Sequence, residues 1–523
     1  MYGIDLHTPH FSHGVVGRAC APCRTESSAS MSNNRGRGLQ ANALGTFDTV
    51  VMAVAGSAPA YSLAATTAVL VGAVGLASPA ALLYCAIPML GIALAFSYLG
   101  RIDVNAGASY SWVGRTLHPF LGFISGWALV ISATIFMVAG SLPAGAMTLS
   151  LFDEGLADNT ALATAVGAGW FLIMLLVVLG GARLTVRAQL IMSGVELAIL
   201  AVFAVGAVLH GGSARSFEWS WLGFGHFDGM GGFASGALIA AFYYWGWDVT
   251  SNLSEETRDS RRTTGLAGLI GVGIVFLLFE VFTIAVNVIL TDRQIQENDA
   301  NVLGVLGEEI WPGWGGKLLI VAVMLSTIAT LETTLIQVTR SLFAMGRDRT
   351  MPTALGRVHR TWNTPWVAIV VVGAVALLMF VTSNALGSVG DILADAIAAI
   401  GLQIAVYYGL AGIAAVVAYR KMLLKSPANF LFGGLWPFLG ALFMFWTFVE
   451  SLGELSGASV AIGIGGIAVG LVPMLWYWRQ GSDYYRPARL DATQVVETEY
   501  VPDGYATATA ERSRVHEGLP TDF

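Results

Sequence analysis

The chain has 523 residues, 55% of them hydrophobic and only 12% charged, with a mean hydropathy of +0.67. An ordinary soluble domain carries about twice that charged fraction, so lipid rather than water is its main solvent. A net charge of −7 without a basic patch excludes a nucleic-acid partner, and three cysteines, Cys20, Cys23 and Cys85, cannot make a disulfide framework.

Residues 1–44 are expected to form a polar cytoplasmic tail. They lack the apolar core of a secretory signal, so the first span must act as its own targeting signal. Cys20 and Cys23 have the two-residue spacing of redox or metal pairs, but no second pair or neighbouring strand accompanies them, and the spacing reads as incidental. Met31 begins a plausible alternative start, which leaves open whether residues 1–30 belong to the native protein.

A bilayer core needs about 20 apolar residues per helix. Segments of that kind fall at 46–71, 79–100, 119–149, 161–181, 186–210, 232–252, 265–290, 317–341, 366–384, 391–418, 429–451 and 457–478, which predicts an all-α polytopic membrane protein of about twelve spans. With the N-terminus inside, the outward loops hold only Arg215, Arg293 and Lys317, and the inward loops hold fifteen Lys and Arg. The positive-inside rule therefore puts both termini in the cytoplasm. The 62 glycines fit close packing of membrane helices.

Non-helical backbone at membrane depth survives only where protein or a polar cavity satisfies it, so a broken span marks a site. In the first span, Pro59 follows Ala55-Gly56-Ser57-Ala58 near the middle. Proline lacks an N–H and its ring clashes with the carbonyl four residues back. The segment reads either as a simple kink or as a break whose second half offers free N–H groups and a positive dipole end to a carboxylate. In the sixth span, Phe242-Tyr243-Tyr244-Trp245-Gly246-Trp247-Asp248 sets a glycine among bulky aromatics, then a carboxylate. The aromatics alone fit packing or an interfacial belt, but an ionisable residue at that depth is costly unless it faces a cavity or a partner. The two segments are five spans apart, the spacing at which two repeats of five helices would bring equivalent broken helices together.

These residues resemble the amino acid–polyamine–organocation superfamily of permeases, from about residue 41 to 480. Gly56-Ser57-Ala58 is similar to that family's Gly-Ser/Thr-Gly unwound element, departing at Ala58 and adding Pro59. Asn105-Ala106-Gly107-Ala108-Ser109-Tyr110 resembles the entry to its third span. Trp245-Gly246-Trp247-Asp248, running into Ser254-Glu255-Glu256-Thr257, resembles its sixth-span pattern. Arg340-Ser341-Leu342-Phe343-Ala344-Met345-Gly346-Arg347-Asp348, with Met351-Pro352 and Thr364-Pro365 after it, looks like its loop after the eighth span.

The resemblance implies a five-plus-five inverted repeat with broken first and sixth helices. The expected organisation is a tail over 1–44, a ten-helix transport core over 45–418 with repeats at about 45–210 and 232–418, two appended helices over 428–480, and a cytoplasmic tail over 481–523. The resemblance places substrate between spans 1, 3, 6, 8 and 10. A carboxylate would meet N–H groups around Gly56, Ser57 and Ala58. An ammonium would meet carbonyls of Phe242, Tyr243 and Trp245 beside Gly246, under the Phe242 ring.

Intramembrane acids are the candidates for coupling. Asp248 heads them. Glu196 aligns where some proton-coupled relatives carry a lysine, and it reads either as a proton carrier or as a structural carboxylate paired with a hydroxyl. Glu332 sits among hydroxyls in Ser326-Thr327-Ile328-Ala329-Thr330-Leu331-Glu332-Thr333-Thr334 as a substrate or proton residue, while Glu280 is a weaker candidate. Asp391 and Asp395 read as solvated entry-face residues. The loop arginines read as orientation signals, with gate ion pairs to Glu255 or Glu256 as the alternative.

The expected function is a secondary transporter of the cell membrane, importing an amino acid or amine by alternating access. Its driving ion would be a proton, with sodium left open, and it would need no cofactor because the gradient supplies the work. An exchanger, or a sensor or channel on the same scaffold, is the alternative. A membrane-embedded enzyme would need clustered His, Cys or carboxylates near an interface. The eight histidines are scattered instead, with no metal-ligand spacing inside a span, so neither catalytic nor metal residues are expected.

Overall fold

The structure is a computed structural model and describes residues 38–157, 159–298, 301–383, 389–453, 455–487 and 489–493, without the side chains of residue 154 and residues 389–394. Cys20, Cys23 and the alternative start lie outside the described residues.

Every regular element among the described residues is a helix. The first expected span is two helices, α1 (Thr46–Gly56) and α2 (Pro59–Val74), followed by α3 (Ser78–Ile102). A short α4 (Ser109–Thr116) leads into the 32-residue α5 (Pro119–Ser150). One turn, α6 (Glu154–Ala157), precedes α7 (Thr160–Leu179) and α8 (Ala182–His210). The sixth span is also divided, into α9 (Gly229–Tyr243) and the one-turn α10 (Val249–Asn252). Then come α11 (Ser260–Ile289), α12 (Asp292–Glu297), α13 (Val302–Ile310) and α14 (Gly315–Arg347). The series ends with α15 (Trp366–Ser383), α16 (Val389–Tyr419), α17 (Pro427–Phe430), α18 (Trp436–Ser451), α19 (Gly457–Val469) and α20 (Leu471–Arg479).

By length and apolar composition, ten helical stretches among the described residues can cross a membrane, against the twelve expected. The difference has a physical origin. The stretch Thr46–Ile102 runs two expected segments together through the single turn at Gly75–Ala77, and the sixth segment falls short because its helix stops at Tyr243.

Burial separates inner from outer helices. The apolar window of α14 is 83% buried, and that of the stretch holding α19 and α20 is 22% buried. The outer helices turn residues such as Leu176, Leu209 and Val472 outward, the arrangement that hydrocarbon tolerates and water does not. Helix α5 lies at the centre against α14, α16 and α7, while α3 runs along α11. The α5–α7 approach depends on paired glycines, because a Cβ on Gly145 would run into the Ala163 carbonyl and one on Gly167 into the Ser141 carbonyl.

Candidate functional site

The first break follows from local chemistry. Helix α1 stops at Gly56 and Ser57 caps it, with its N–H donating to the carbonyls of Ala53 and Val54. Ala58 is held left-handed at φ 48°, a conformation that costs a residue with a Cβ about 1–2 kcal/mol. Pro59 then opens α2 at the one kind of position where its missing N–H is harmless. In the sixth span Gly246 takes φ +99°, which only glycine adopts without strain, and α10 begins at Val249. A Cβ on Gly56 would strike the Gly246 carbonyl, and one on Gly246 would strike that of Gly56. The two breaks therefore lie directly against each other at the centre of the bundle.

Neighbouring helices satisfy the backbone that the breaks release. The Ala60 N–H donates to Glu196 Oε1 at 3.0 Å and the Tyr61 N–H to Ser326 Oγ at 3.2 Å. Thr330 Oγ1 donates at 2.8 Å to the Ala55 carbonyl, the end of the other half-helix. Glu196 is fully buried, and its carboxylate faces the positive end of α2. The N–H of Ala58 turns back to the Ala55 carbonyl at 3.2 Å.

Asp248 is equally buried but fully engaged. Its Oδ2 accepts from Gln337 Nε2 at 2.8 Å and from the Tyr407 hydroxyl at 3.1 Å, and its Oδ1 accepts from the Tyr408 hydroxyl at 3.0 Å. It thereby ties the sixth span to α14 and α16. Trp245 Nε1 donates to the Tyr407 hydroxyl at 2.6 Å, which extends the network to the aromatic side of the break.

A ring of aromatics surrounds that side. Phe136 of α5 meets Tyr61 edge-on at 5.8 Å and Trp245 at 5.6 Å, with Phe242 6.4 Å from Trp245. Tyr243 turns away, bonding Thr67 Oγ1 at 2.9 Å and packing on Phe279. Beyond it, toward the end of the bundle away from the arginine-rich loops, opens a mostly apolar vestibule of ≈ 220 Å³ lined by Val69, Leu238, Ile239 and Ile397, with Thr66, Ser235 and Ser451 among them.

The arginine-rich end is shut. Arg340 forks onto Glu256 at 3.0 and 3.2 Å with both side chains buried, and Arg347 pairs with Glu255 at 2.9 Å. Glu255 also accepts from the Ala106 N–H, and Asn252 bridges the Ala106 carbonyl to Ser341 Oγ. The alternative reading of the loop arginines, as partners of Glu255 and Glu256, thus describes Arg340 and Arg347.

The remaining acids scatter. Glu332 is buried on α14 with neither oxygen completing a hydrogen bond, its polar neighbour being Gln189 of α8. Glu280 stands half-buried on α11, also without a partner among the described residues. Asp395 accepts from Ser456 and Ser459 at the start of α19, and the side chain of Asp391 lies outside the described residues.

Several members of this arrangement escaped sequence reading: Tyr61, Phe136, Gln189, Gln337, Tyr407 and Tyr408. A signal existed for two of them, since adjacent tyrosines in the middle of an apolar segment bring two hydroxyls that hydrocarbon cannot satisfy.

Comparison with known proteins gives the family. Residues 44–472 match the family model described as amino acid permease. The low-affinity putrescine importer of Escherichia coli (strain K12) is 27% identical over 57% of this chain and 66% of its own length. The chain thus spans slightly less than two thirds of that relative. The serine/threonine exchanger of Bacillus subtilis (strain 168) is 23% identical over 72% of this chain and 84% of its own. The human b(0,+)-type amino acid transporter 1 is 24% identical over 56% and 60%.

Proposed function

Since the chain belongs to the amino acid permease family, we propose that it carries an amino acid or a related amine across the cell membrane by alternating access, as a proton-driven symporter. The observation that carries this reading is the pair of abutting breaks, with an open vestibule on one side and a buried ion-pair gate on the other. A transporter needs a site that each face can reach in turn, and such a closed-below, open-above arrangement is one half of that cycle. In this reading both termini are cytoplasmic, the arginine-rich end is the inner gate, and α1 to α16 form two inverted repeats.

The substrate's ammonium is received by carbonyls of Phe242, Tyr243 and Trp245 beside Gly246, with the rings of Phe136, Phe242 and Trp245 offering π-faces to a cation. Its carboxylate, if it has one, meets the backbone at Gly56, Ser57 and Ala58. The N–H groups of Ser57 and Ala58 are engaged within the chain in this conformer, as is the Phe242 carbonyl by the Trp245 N–H, so an amine lacking a carboxylate, received by the carbonyls of Tyr243 and Trp245, is a full member of the substrate class. Glu196 is the coupling acid: it holds the N-terminus of α2, so gaining or losing a proton there changes the grip on one half of the broken helix. Asp248 positions the sixth-span break through its three hydrogen bonds.

Exchange is the second reading, favoured by the likeness to a serine/threonine exchanger over most of that protein's length. The test is uptake of radiolabelled putrescine and L-serine into proteoliposomes. Accumulation that follows an imposed pH gradient with empty vesicles supports symport. Uptake that requires internal substrate supports exchange, and no uptake of either in folded protein overturns the amine and amino acid reading.

A further inference from the structure

Glu196 Oε1 is bonded to the Ala60 N–H and the Ser326 hydroxyl stands beside the carboxyl, while Oε2 completes no hydrogen bond among the described residues. On the same face of α8, one turn and two turns toward the arginine-rich end, stand Ser193 and Gln189, at the spacing i, i−3 and i−7. Both are buried, and Ser193 Oγ and Gln189 Oε1 likewise lack partners. Gln189 Nε2 donates to the Ala329 carbonyl of α14 at 2.6 Å, which sets the Gln189 amide beside Glu332, neither oxygen of which completes a hydrogen bond among the described residues. Four neighbouring side chains on two packed helices thus bury five unpaired polar atoms. Membrane helices keep polar groups in the interior where they line an ion or proton pathway.

We propose that Glu332 is a second proton station in series with Glu196, and that Ser193 and Gln189 line the path by which the coupling proton leaves for the cytoplasm. The inference rests on the symport reading above and adds the route and its end. In the step, the Glu196 carboxyl gives up its proton and becomes a carboxylate, the Ser193 hydroxyl accepts one proton as it passes on its own, and Glu332 becomes a carboxylic acid. Gln189 is a positioning residue, holding the Glu332 carboxyl through its anchored amide. Glu332 then releases the proton when the Arg340–Glu256 and Arg347–Glu255 pairs part and water reaches α14. Gln189, the α8 side chain beside the Glu332 carboxyl, is uncharged, so an extra proton meets no fixed cation there.

The experiment uses the full chain in proteoliposomes with radiolabelled putrescine and L-serine, a pH gradient acid outside, and a pH indicator inside. Glu332→Gln is expected to lower the final accumulation ratio at least ten-fold and to suppress the substrate-dependent acidification of the lumen, whereas Glu332→Asp, which keeps an acid, restores both. Gln189→Leu is expected to slow proton entry at least five-fold and to shift the pH profile of uptake, and it carries the test if Glu332→Gln fails to fold. Wild-type-like accumulation and acidification in both Glu332→Gln and Gln189→Leu would overturn the relay while leaving symport intact. A wild type whose uptake ignores the pH gradient would overturn symport and the relay together.

Discussion

At Gly246 a single hydrogen atom in place of a side chain sets two properties together, a φ of +99° and contact with the carbonyl of Gly56. Gly246→Ala should therefore cost about 2 kcal/mol from backbone strain alone, and more once the two breaks are pushed apart. A lowered thermal unfolding temperature with loss of ligand stabilisation would bear this out, and wild-type values for both would show that the breaks have room to spare. Asp348 supplies a prediction in pH. It sits just beyond α14, where burial pushes its carboxyl up to about 6 against the opposing pull of Arg347 and the Tyr110 hydroxyl. A carboxyl raised in the folded state contributes stability that is complete below its unfolded value and is lost as pH rises through the folded one. Acidification from pH ~7 to ~5 should thus raise the stability of the wild type relative to Asp348→Asn, as read by thermal unfolding at each pH. Equal slopes would remove Asp348 as the source.

The inner gate is a property of elements, because α10 and its following turn present Glu255 and Glu256 to a single face of α14. Removing one member of a buried ion pair leaves the other uncompensated, at about 3–5 kcal/mol. Arg340→Ala should therefore favour the conformer open at that end, and Glu256→Ala added to it should recover much of the loss. The measurement is thiol labelling of Cys introduced at Ala106, which is buried behind the pair. Labelling is expected to accelerate at least ten-fold in Arg340→Ala and less in the double variant. Unchanged labelling in Arg340→Ala would mean that other contacts keep the gate shut. The elements themselves were largely readable beforehand: Pro59 and Gly246 announced where helices would stop, and apolar length announced the rest. The turn at Gly75–Ala77 falls in the gap between the apolar runs 46–71 and 79–100, and it joins two spans with little loop between them.

On the scale of the whole molecule, the chain after α20 returns across the arginine-rich end and closes the helices into one body. Tyr484 stacks on Tyr110 with ring centres 4.6 Å apart and donates to its carbonyl, seated where Gly114 and Gly122 leave space. The Leu490 N–H then bonds the Arg115 carbonyl, the Ala492 N–H bonds that of Ala418, and Asp491 pairs with Lys421 at 2.6 Å. Tyr484→Ala should cost about 3 kcal/mol of stability through the cavity it leaves, read as a lower unfolding temperature in detergent. A change too small to measure would show this segment to be loosely seated.

Composition and the spacing of apolar runs were enough to make this a multi-span helical protein, because crossing hydrocarbon demands long segments with internally satisfied backbone. Proline and glycine marked where the two breaks fall, because their backbone limits are local, but they left a simple kink open at Pro59. Which face of each helix looks inward was a matter for tertiary structure alone. Lipid-facing and protein-facing surfaces are equally apolar, so the sequence holds no periodic contrast from which to read that Gln337, Tyr407 and Tyr408 converge on Asp248. For the same reason only packing could decide that Glu196 meets the start of α2 while Glu332 turns toward Gln189.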